Sequence, residues 1–262
     1  MTGGAERRTA RGRAVLFPVA GTLAVVGLWA AAGWLIAGNP ATASFAGFAP
    51  GPTLRRLVVL VTGGGLLDSM LPSLLRVAKG MALACAIGVP VGVAIGRSDA
   101  LRAATHIPFQ FLRMVSPLAW MPIAVLAFAT WEGAIVFLIT AAAVWPVTFA
   151  TANGLRKVDP AWFKVARNLG AGPLHMLSVI ILPAIAQDVL TGIRLALGVA
   201  WIVLVPAEYL GVTSGLGYAI NDARDTLEYD RLAAVVVVIG AIGFVLDGAC
   251  LAAIRRFGWT HQ

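Results

Sequence analysis

The chain has 262 residues, of which 59% are hydrophobic and only 12% are charged, whereas a soluble domain carries about 25% charged residues. This composition excludes a soluble fold, which would have to bury nearly all of the apolar runs. The net charge of +8 is typical of the excess of Lys and Arg in the cytoplasmic loops of membrane proteins. Nucleic-acid binding is disfavoured because the basic residues do not cluster with aromatic ones.

A basic segment over residues 1–14 precedes the first apolar run. The run over 15–37 is too long for the apolar part of a signal peptide and ends without a clear cleavage site. We therefore predict a cytoplasmic N-terminus, a first transmembrane helix over 15–37 and an extracytoplasmic connection over 38–65. Whether residues 66–79 lie on the membrane or extend the second span is left open by the sequence.

Five further runs approach the roughly 20 apolar residues that a spanning helix needs. Pro117 and Pro122 interrupt one of them, because proline removes a backbone donor. Since lipid cannot satisfy an open backbone, we predict an all-α membrane protein with about six transmembrane helices. The five runs cover 77–96, 108–129, 133–152, 183–207 and 232–254.

The basic residues predict the orientation of these spans. With both termini in the cytoplasm, twelve Lys and Arg residues lie on the inner side and four in the outer loops. We therefore predict a multi-pass protein of the cytoplasmic membrane whose tail, 257–262, is also cytoplasmic. The inner residues are Arg7, Arg8, Arg11, Arg13, Arg97, Arg102, Arg156, Lys157, Lys164, Arg167, Arg255 and Arg256, and the outer ones are Arg55, Arg56, Arg224 and Arg231.

A polar segment over 153–183 separates two apolar runs. Asp159 followed by Pro160 predicts a helix start, with Asp as the cap and Pro at the first helical position. A short helix is expected over Ala161–Leu169, and Gly170 suits the left-handed position that follows a helix. Such a cytoplasmic segment is typical of a docking surface for a soluble partner.

This segment resembles the EAA loop of the membrane subunits of binding-protein-dependent ABC importers. The pattern Ala166-x-x-x-Gly170, followed by Ile180-x-Leu182-Pro183, has the spacing of that loop, and the resemblance covers about residues 66–256. In that family the loop forms coupling helices that insert into a cleft on the ATPase subunit. Lys164 and Val165 depart from the usual Glu and Ala. The resemblance implies coupling roles for Trp162, Lys164, Val165, Ala166, Arg167, Gly170, Ala171, Leu182 and Pro183.

The stretches at 158–171 (VDPAWFKVARNLGA) and 190–211 (LTGIRLALGVAWIVLVPAEYLG) resemble the nitrate/sulfonate/taurine branch of these permeases. Within that branch, SPLAWMPIAVLAF at 116–128 and the pair Trp145-Pro146 look most like nitrate, cyanate or bicarbonate permeases. The resemblance implies a type I ABC importer permease (MetI-like) fold and import of a small anion, nitrate-, bicarbonate- or cyanate-like before sulfonate or taurine. The implied partners are a second permease subunit in a homodimer, two cytoplasmic ATPase subunits and an extracytoplasmic solute-binding protein, in contact with membrane lipid. No P-loop occurs, so ATP and Mg²⁺ are expected on the ATPase, with no cofactor, metal or catalytic residue in this chain.

Polar residues in or near the spans are candidates for the solute pathway, because a charge in the bilayer is costly. Arg113, followed by Ser116 and Trp120, either lines an anion path or extends its charge to the cytoplasmic interface. Arg194 lies within the fifth span. It is either a pathway residue or the structural partner of Asp188 or Asp247.

Glu208 and Tyr209 close the fifth span on its outer side. They are candidates for an external gate or a contact with the binding protein, and a solvated helix end is the alternative. An ion-gradient-driven secondary transporter or channel is the rival function, which predicts ionisable residues near mid-membrane and an inverted repeat. An intramembrane enzyme would require a catalytic constellation, and the sequence contains no recognisable one.

Overall fold

The computed structural model describes the backbone of residues 3–257 and the side chains of residues 16–256. The side chains of the predicted basic N-terminus and residues 258–262 of the predicted tail lie outside the described residues. Within the described chain nearly every residue is helical. The chain forms two compact units, one built from residues up to Leu66 with Ile220–Val238, and the other from Leu67–Ala219 with residues from Ile239 onward.

Five helical stretches of the described chain are long and apolar enough to cross a membrane, and the number is six if one bent pair of helices is counted as a single span. The prediction of an all-α membrane protein with about six spans is thereby confirmed. A 3-10 turn forms at Ala43–Phe48 and another at Pro117–Trp120, and a π-helical turn over Met176–Ile181 joins α8 to α9. The α-helices are α1 (Gly3–Gly38), α2 (Pro50–Thr62), α3 (Gly65–Arg97), α4 (Asp99–Met114), α5 (Met121–Ala127), α6 (Trp131–Lys157), α7 (Pro160–Asn168), α8 (Pro173–His175), α9 (Leu182–Gly211), α10 (Leu216–Asp225) and α11 (Tyr229–Phe257).

The span predicted over 108–129 consists of two helical pieces rather than one. Helix α4 begins at Asp99, well before the predicted start, and the chain then bends by 86°. Val115 and Ser116 are extended at the bend, with ψ of 125° and 128°. Because the ring of Pro117 disfavours a helical conformation of the residue before it, the break falls at Ser116. The predicted interruption is therefore confirmed at Pro117, whereas Pro122 lies in the first turn of α5 and interrupts no helix.

Residues 66–79 belong to a single continuous helix with the second predicted span. Helix α3 has 33 residues, which corresponds to about 50 Å at 1.5 Å per residue. That length exceeds the roughly 30 Å of a hydrocarbon core. The stretch therefore extends the helix beyond the apolar run at 77–96.

Small residues let α3 and α6 approach closely in the second unit. A Cβ on Gly92 would lie 2.6 Å from the carbonyl oxygen of Thr148, and one on Gly88 would lie 3.0 Å from Cβ of Val147. Gly96 lies four residues after Gly92 and Gly80 lies eight residues before Gly88, so the glycines recur at four residues or a multiple of four, an arrangement that membrane helices use for tight packing. Helix α6 lies at the centre of the buried core, which includes Ile135, Leu138, Ile139, Ala143, Val147, Ala196, Ala200 and Leu204.

The first unit is held together by aromatic and ionic contacts. The rings of Phe45 and Phe48 lie 5.0 and 5.2 Å from the ring of Tyr229. Arg56 donates to Glu228 at 2.7 Å, and Arg231 donates to the other oxygen of that carboxylate at 3.0 Å. Its hydrogen bond from Arg231 and the neighbouring Arg56 charge hold the pKa of Glu228 below its usual value of 4.5.

Candidate functional site

Helix α7 begins where the sequence predicts. The backbone N–H of Ala161 donates to Oδ1 of Asp159 at 2.8 Å, and Pro160 occupies the first helical position. Asp159 thus satisfies one of the N–H groups that lack a partner at a helix start. The helix runs from Pro160 to Asn168, within one residue of the predicted range at each end.

Gly170 ends α7 in a left-handed conformation with φ of +79°. Its N–H donates to the carbonyl of Arg167 at 3.0 Å, and the N–H of Ala171 donates to the carbonyl of Ala166 at 3.0 Å. These two bonds define a Schellman motif. The Ala166-x-x-x-Gly170 spacing therefore has a physical origin, since the glycine takes the positive φ and the alanine carbonyl accepts the closing hydrogen bond.

The inner face of α7 packs onto the ends of α6 and α9. Ala166 is only 6% exposed and belongs to a small buried cluster. The cluster thus joins Ala166 of α7 to residues of both long helices, Leu155 of α6 and Ile185 of α9. The other buried members are Leu155, Met176, Ile181 and Ile185, and Phe163, Ala171 and Ile180 pack against them.

The outer face of α7 is apolar and exposed. Trp162, Val165 and Leu169 are 52%, 57% and 81% exposed, and their spacing places them on one side of the helix. Leu174, just beyond the Gly170 turn, is 80% exposed. We call Trp162, Val165, Leu169 and Leu174 the α7 surface. Among the other predicted coupling residues, Lys164, Arg167, Leu182 and Pro183 are exposed, whereas Ala171 is half-buried.

A cleft of about 780 Å³ adjoins the α7 surface between α6, α7 and α9. Trp162 and Pro183 line it, together with the ion pair of Lys157 and Asp188, whose charged atoms are 2.5 Å apart. This pair joins the end of α6 to the beginning of α9. Asp188 is therefore engaged with Lys157.

Two of the candidate pathway residues meet at a second cavity, of about 660 Å³. Arg113 and Trp120 line it, and the Arg113 guanidinium lies 5.5 Å from the centre of the Phe149 ring. Asn153 adds an amide to a lining that is otherwise mostly apolar and aromatic. Ser116 lies in the extended connection before the 3-10 turn. The cavity thus combines one positive charge with apolar walls.

Arg194 does not line that cavity. Its Nε and Nη2 atoms donate to the two carboxylate oxygens of Asp247 at 2.6 and 2.7 Å. Such two-point pairing is the strongest geometry for an arginine and a carboxylate. Of the two partners that the sequence suggested, Asp247 is the one observed.

Glu208 is fully buried, with 0% exposure. The alternative prediction that this residue lies at a solvated helix end is therefore wrong. Its carboxylate accepts hydrogen bonds from Arg76, Ser73 and the backbone N–H of Gly217. Tyr209 is half-buried beside it in the chain. Arg76 was not selected from the sequence, because it lies 132 residues from Glu208 and no local pattern links them.

Comparison with known proteins gives concordant results. Residues 88–258 match the family model of the binding-protein-dependent transport system inner membrane component. The bicarbonate transport system permease protein CmpB of Synechococcus elongatus is 36% identical over 248 residues, covering 89% of this chain and 86% of the relative. The taurine transport system permease protein TauC of Escherichia coli is 33% identical over 217 residues, covering 81% and 79%.

The fold also matches a solved structure. A chain of the MetNI methionine ABC transporter, in an inward facing conformation, aligns with a TM-score of 0.63 at 16% identity. The alignment covers 73% of this chain and 95% of that one. At this identity the likeness shows the fold alone, and it confirms the predicted MetI-like architecture.

Proposed function

The chain belongs to the family of binding-protein-dependent transport system inner membrane components, as a permease subunit of an ABC importer, and from this premise we propose that it forms an ATP-driven path for a small anion. Two copies form the path between them. Two cytoplasmic ATPase subunits bind from one side, and a solute-binding protein delivers the anion from the other. Both termini and the α7 surface then lie in the cytoplasm.

The exposed α7 surface is the observation that carries this proposal. Four large apolar side chains face solvent on a segment whose backbone is fixed by the Asp159 cap and the Gly170 turn. A contiguous apolar surface of this kind is typical of a protein–protein contact. Ala166 shares a buried cluster with Leu155 of α6 and Ile185 of α9. In this proposal, movement of bound ATPases passes through that cluster to the spans and opens the path alternately to each side.

The relatives and the Arg113 cavity support an anionic substrate. The relatives named above are permeases of bicarbonate and taurine transport systems, and both solutes carry a negatively charged oxyacid group. Arg113 supplies a positive charge to a cavity with mostly apolar walls. We favour a nitrate-, bicarbonate- or cyanate-like anion, followed by a sulfonate such as taurine, with selectivity residing mainly in the binding protein. The permease alone is expected to show no tight, saturable anion binding.

Reconstitution tests the proposal. The permease is placed in vesicles with or without its ATPase, ATP and the loaded binding protein, and uptake of labelled bicarbonate, nitrate and taurine is measured. Uptake is expected only when all three additions are present. Gradient-driven uptake by the permease alone would instead support the secondary transporter, an alternative that the family match does not favour.

A further inference from the structure

A group of charged and hydroxyl side chains around the buried Arg76 and Glu208 holds the connection between α9 and α10. We call Ser73, Arg76, Glu132, Glu208 and Ser214 the Arg76 cluster. Arg76 and Glu208 are only 3% and 0% exposed. The guanidinium uses all three of its nitrogens, because Nη1 donates to Glu208 at 2.7 Å, Nε donates to Glu132 at 2.7 Å, and Nη2 donates to the hydroxyl of Ser214 at 2.9 Å.

The backbone of the connection also binds to the cluster. We call residues 212–217 the outer turn. Nη1 of Arg76 donates to the carbonyl oxygen of Ser214 at 2.9 Å. The N–H of Gly217 donates to Glu208 at 3.0 Å, and the N–H of Leu216 donates to the hydroxyl of Ser73 at 2.9 Å. Three backbone groups of the outer turn therefore depend on side chains of α3 and α9.

The outer turn is shaped around the Glu208 carboxylate. Gly215 has φ of +110°, a conformation that side chains rarely adopt. A Cβ at this position would lie 2.5 Å from Cδ of Glu208. The absence of a side chain at Gly215 thus allows the turn to close directly over the buried carboxylate.

The stability of the folded protein does not by itself explain why charged side chains are buried in this cluster. Replacing a buried ion pair by apolar residues of similar size is often neutral or stabilising, because burying charges is costly. Apolar residues, however, cannot make the directional hydrogen bonds that Arg76 and Glu208 make to the outer turn. We propose that Arg76 is a positioning residue, which acts through Glu208 and Ser214 to set the place of the outer turn, and that uptake requires the turn to be held there. This inference rests on the proposed function, in whose orientation the outer turn lies where solute enters.

Mobility of the outer turn is the first readout. Thr213 is the exposed residue of the turn, so a spin label is attached at Thr213→Cys after Cys85 and Cys250 are replaced by serine. Arg76→Lys keeps the charge, but a single ammonium group lacks the planar fork that serves Glu132, Glu208 and Ser214 together. In the assembled transporter, we expect a larger mobile fraction of the label in this variant. A spectrum identical to that of the parent would overturn the proposal.

Lys79→Gln is the matched control. Lys79 contacts the same Glu132 at 3.3 Å but is 56% exposed, and no hydrogen bond joins it to the outer turn among the described side chains. The label at Thr213 is expected to keep its parental spectrum in this variant. A mobility increase equal to that of Arg76→Lys would show that any disturbed contact to Glu132 mobilises the turn, and it would also overturn the proposal.

Uptake is the second readout. The double variant Arg76→Met/Glu208→Leu removes both buried charges together, so neither is left without its partner. It also removes the partners of the Gly217 N–H and the Ser214 carbonyl, so the complex is expected to assemble with a modest loss of thermal stability. Its ATP-dependent uptake is expected to fall about tenfold or more, by analogy with enzymes, in which a distant mutation that misplaces a group by about 1 Å can cost about a hundredfold in rate. Parental uptake in the assembled double variant would refute the positioning role.

If the double variant fails to assemble, uptake by the assembled complex of the Arg76→Lys variant tests the proposal instead. A fall of about tenfold supports the proposal, and parental uptake overturns it. Failure of the proposed function is recognised separately, because it would appear as absence of ATP-dependent uptake in the parental complex. The spin label reports on the outer turn in either case.

Discussion

The α7 surface and the Arg76 cluster lie in the same compact unit. Both depart from the usual pattern of buried apolar and exposed charged side chains. At α7, Leu169 is 81% exposed although it is apolar, whereas Glu208 in the cluster is 0% exposed although it is a carboxylate. Arg76 and Glu208 find their partners within the chain, whereas Leu169 and Leu174 are left mostly uncovered by the described residues. In the function proposed above, the Arg76 cluster is set internally, whereas the α7 surface is completed by the ATPase subunit.

Glu208→Ala removes the buried partner of Arg76 and tests the cluster most severely. The guanidinium would keep only Glu132 as a carboxylate partner, and loss of one member of a buried pair costs about 3–5 kcal/mol. We expect a corresponding fall in the unfolding temperature of the purified permease in detergent. Trp162→Ala on the α7 surface serves as the comparison and should change that temperature little. Equal effects of the two variants would contradict the contrast between the regions.

Gly170→Val tests whether the turn after α7 requires glycine. With φ of +79°, a β-branched residue is strained, at a cost of about 1–2 kcal/mol. We expect lower stability and loss of ATPase-coupled uptake. Gly172→Val is the matched control, because Gly172 has φ of −70° and, like Gly170, has open space around it. If both variants behaved alike, backbone conformation would not be the reason for the glycine.

The partly exposed ion pairs of Glu228 are expected to make the stability of the protein depend on pH. Their effect can be compared with that of the buried Arg76 cluster. The hydrogen bond from Arg231 and the charge of Arg56 lower the pKa of Glu228. The contribution of ionised Glu228 to the free energy of unfolding is therefore fully present above pH 4.5, the usual pKa of a Glu side chain. That contribution is lost as the pH falls through the lower pKa that Glu228 has in the folded protein. Because the pairs are partly exposed, the effect should stay below about 1 kcal/mol. Thermal unfolding of the parent and Glu228→Gln between pH 3 and 6, roughly the range of carboxyl titration, measures the difference, which should vanish at low pH.

Leu169→Ser should have the smallest effect on stability, within about 0.5 kcal/mol, because the side chain is exposed. It should nevertheless weaken capture of the ATPase subunit by the immobilised permease. Leu126→Ser on α5 is the control, since Leu126 is 88% exposed but lies outside the α7 surface. ATPase capture that is unchanged by Leu169→Ser would remove the main support for coupling through α7.

The features that the sequence predicted depend on neighbouring residues. The Asp159 cap, the α7 helix and the Gly170 turn arise from bonds that span at most five residues. The interruption near Pro117 was predictable for the same reason. Its 86° angle was not, because the direction of the chain after a break is set by packing.

The features that the sequence missed depend on remote contacts. Arg76 and Glu208 are 132 residues apart, and each alone resembles a charge at the end of an apolar helix. The polar side chains between residues 66 and 79 dilute the apolar pattern and left the start of α3 uncertain. Arg194 shows the intermediate case, since two acidic partners were plausible from the sequence and only the structure distinguishes Asp247.

A photo-reactive amino acid at position 169 gives the decisive measurement. The labelled permease is assembled with its ATPase, binding protein and lipid, and illuminated before and after ATP is added. Coupling through α7 predicts that the photo-reactive residue at position 169, where the native Leu169 side chain is 81% exposed, becomes cross-linked to the ATPase subunit. Cross-linking to the solute-binding protein or to lipid, with none to the ATPase, would contradict both the orientation and the coupling role.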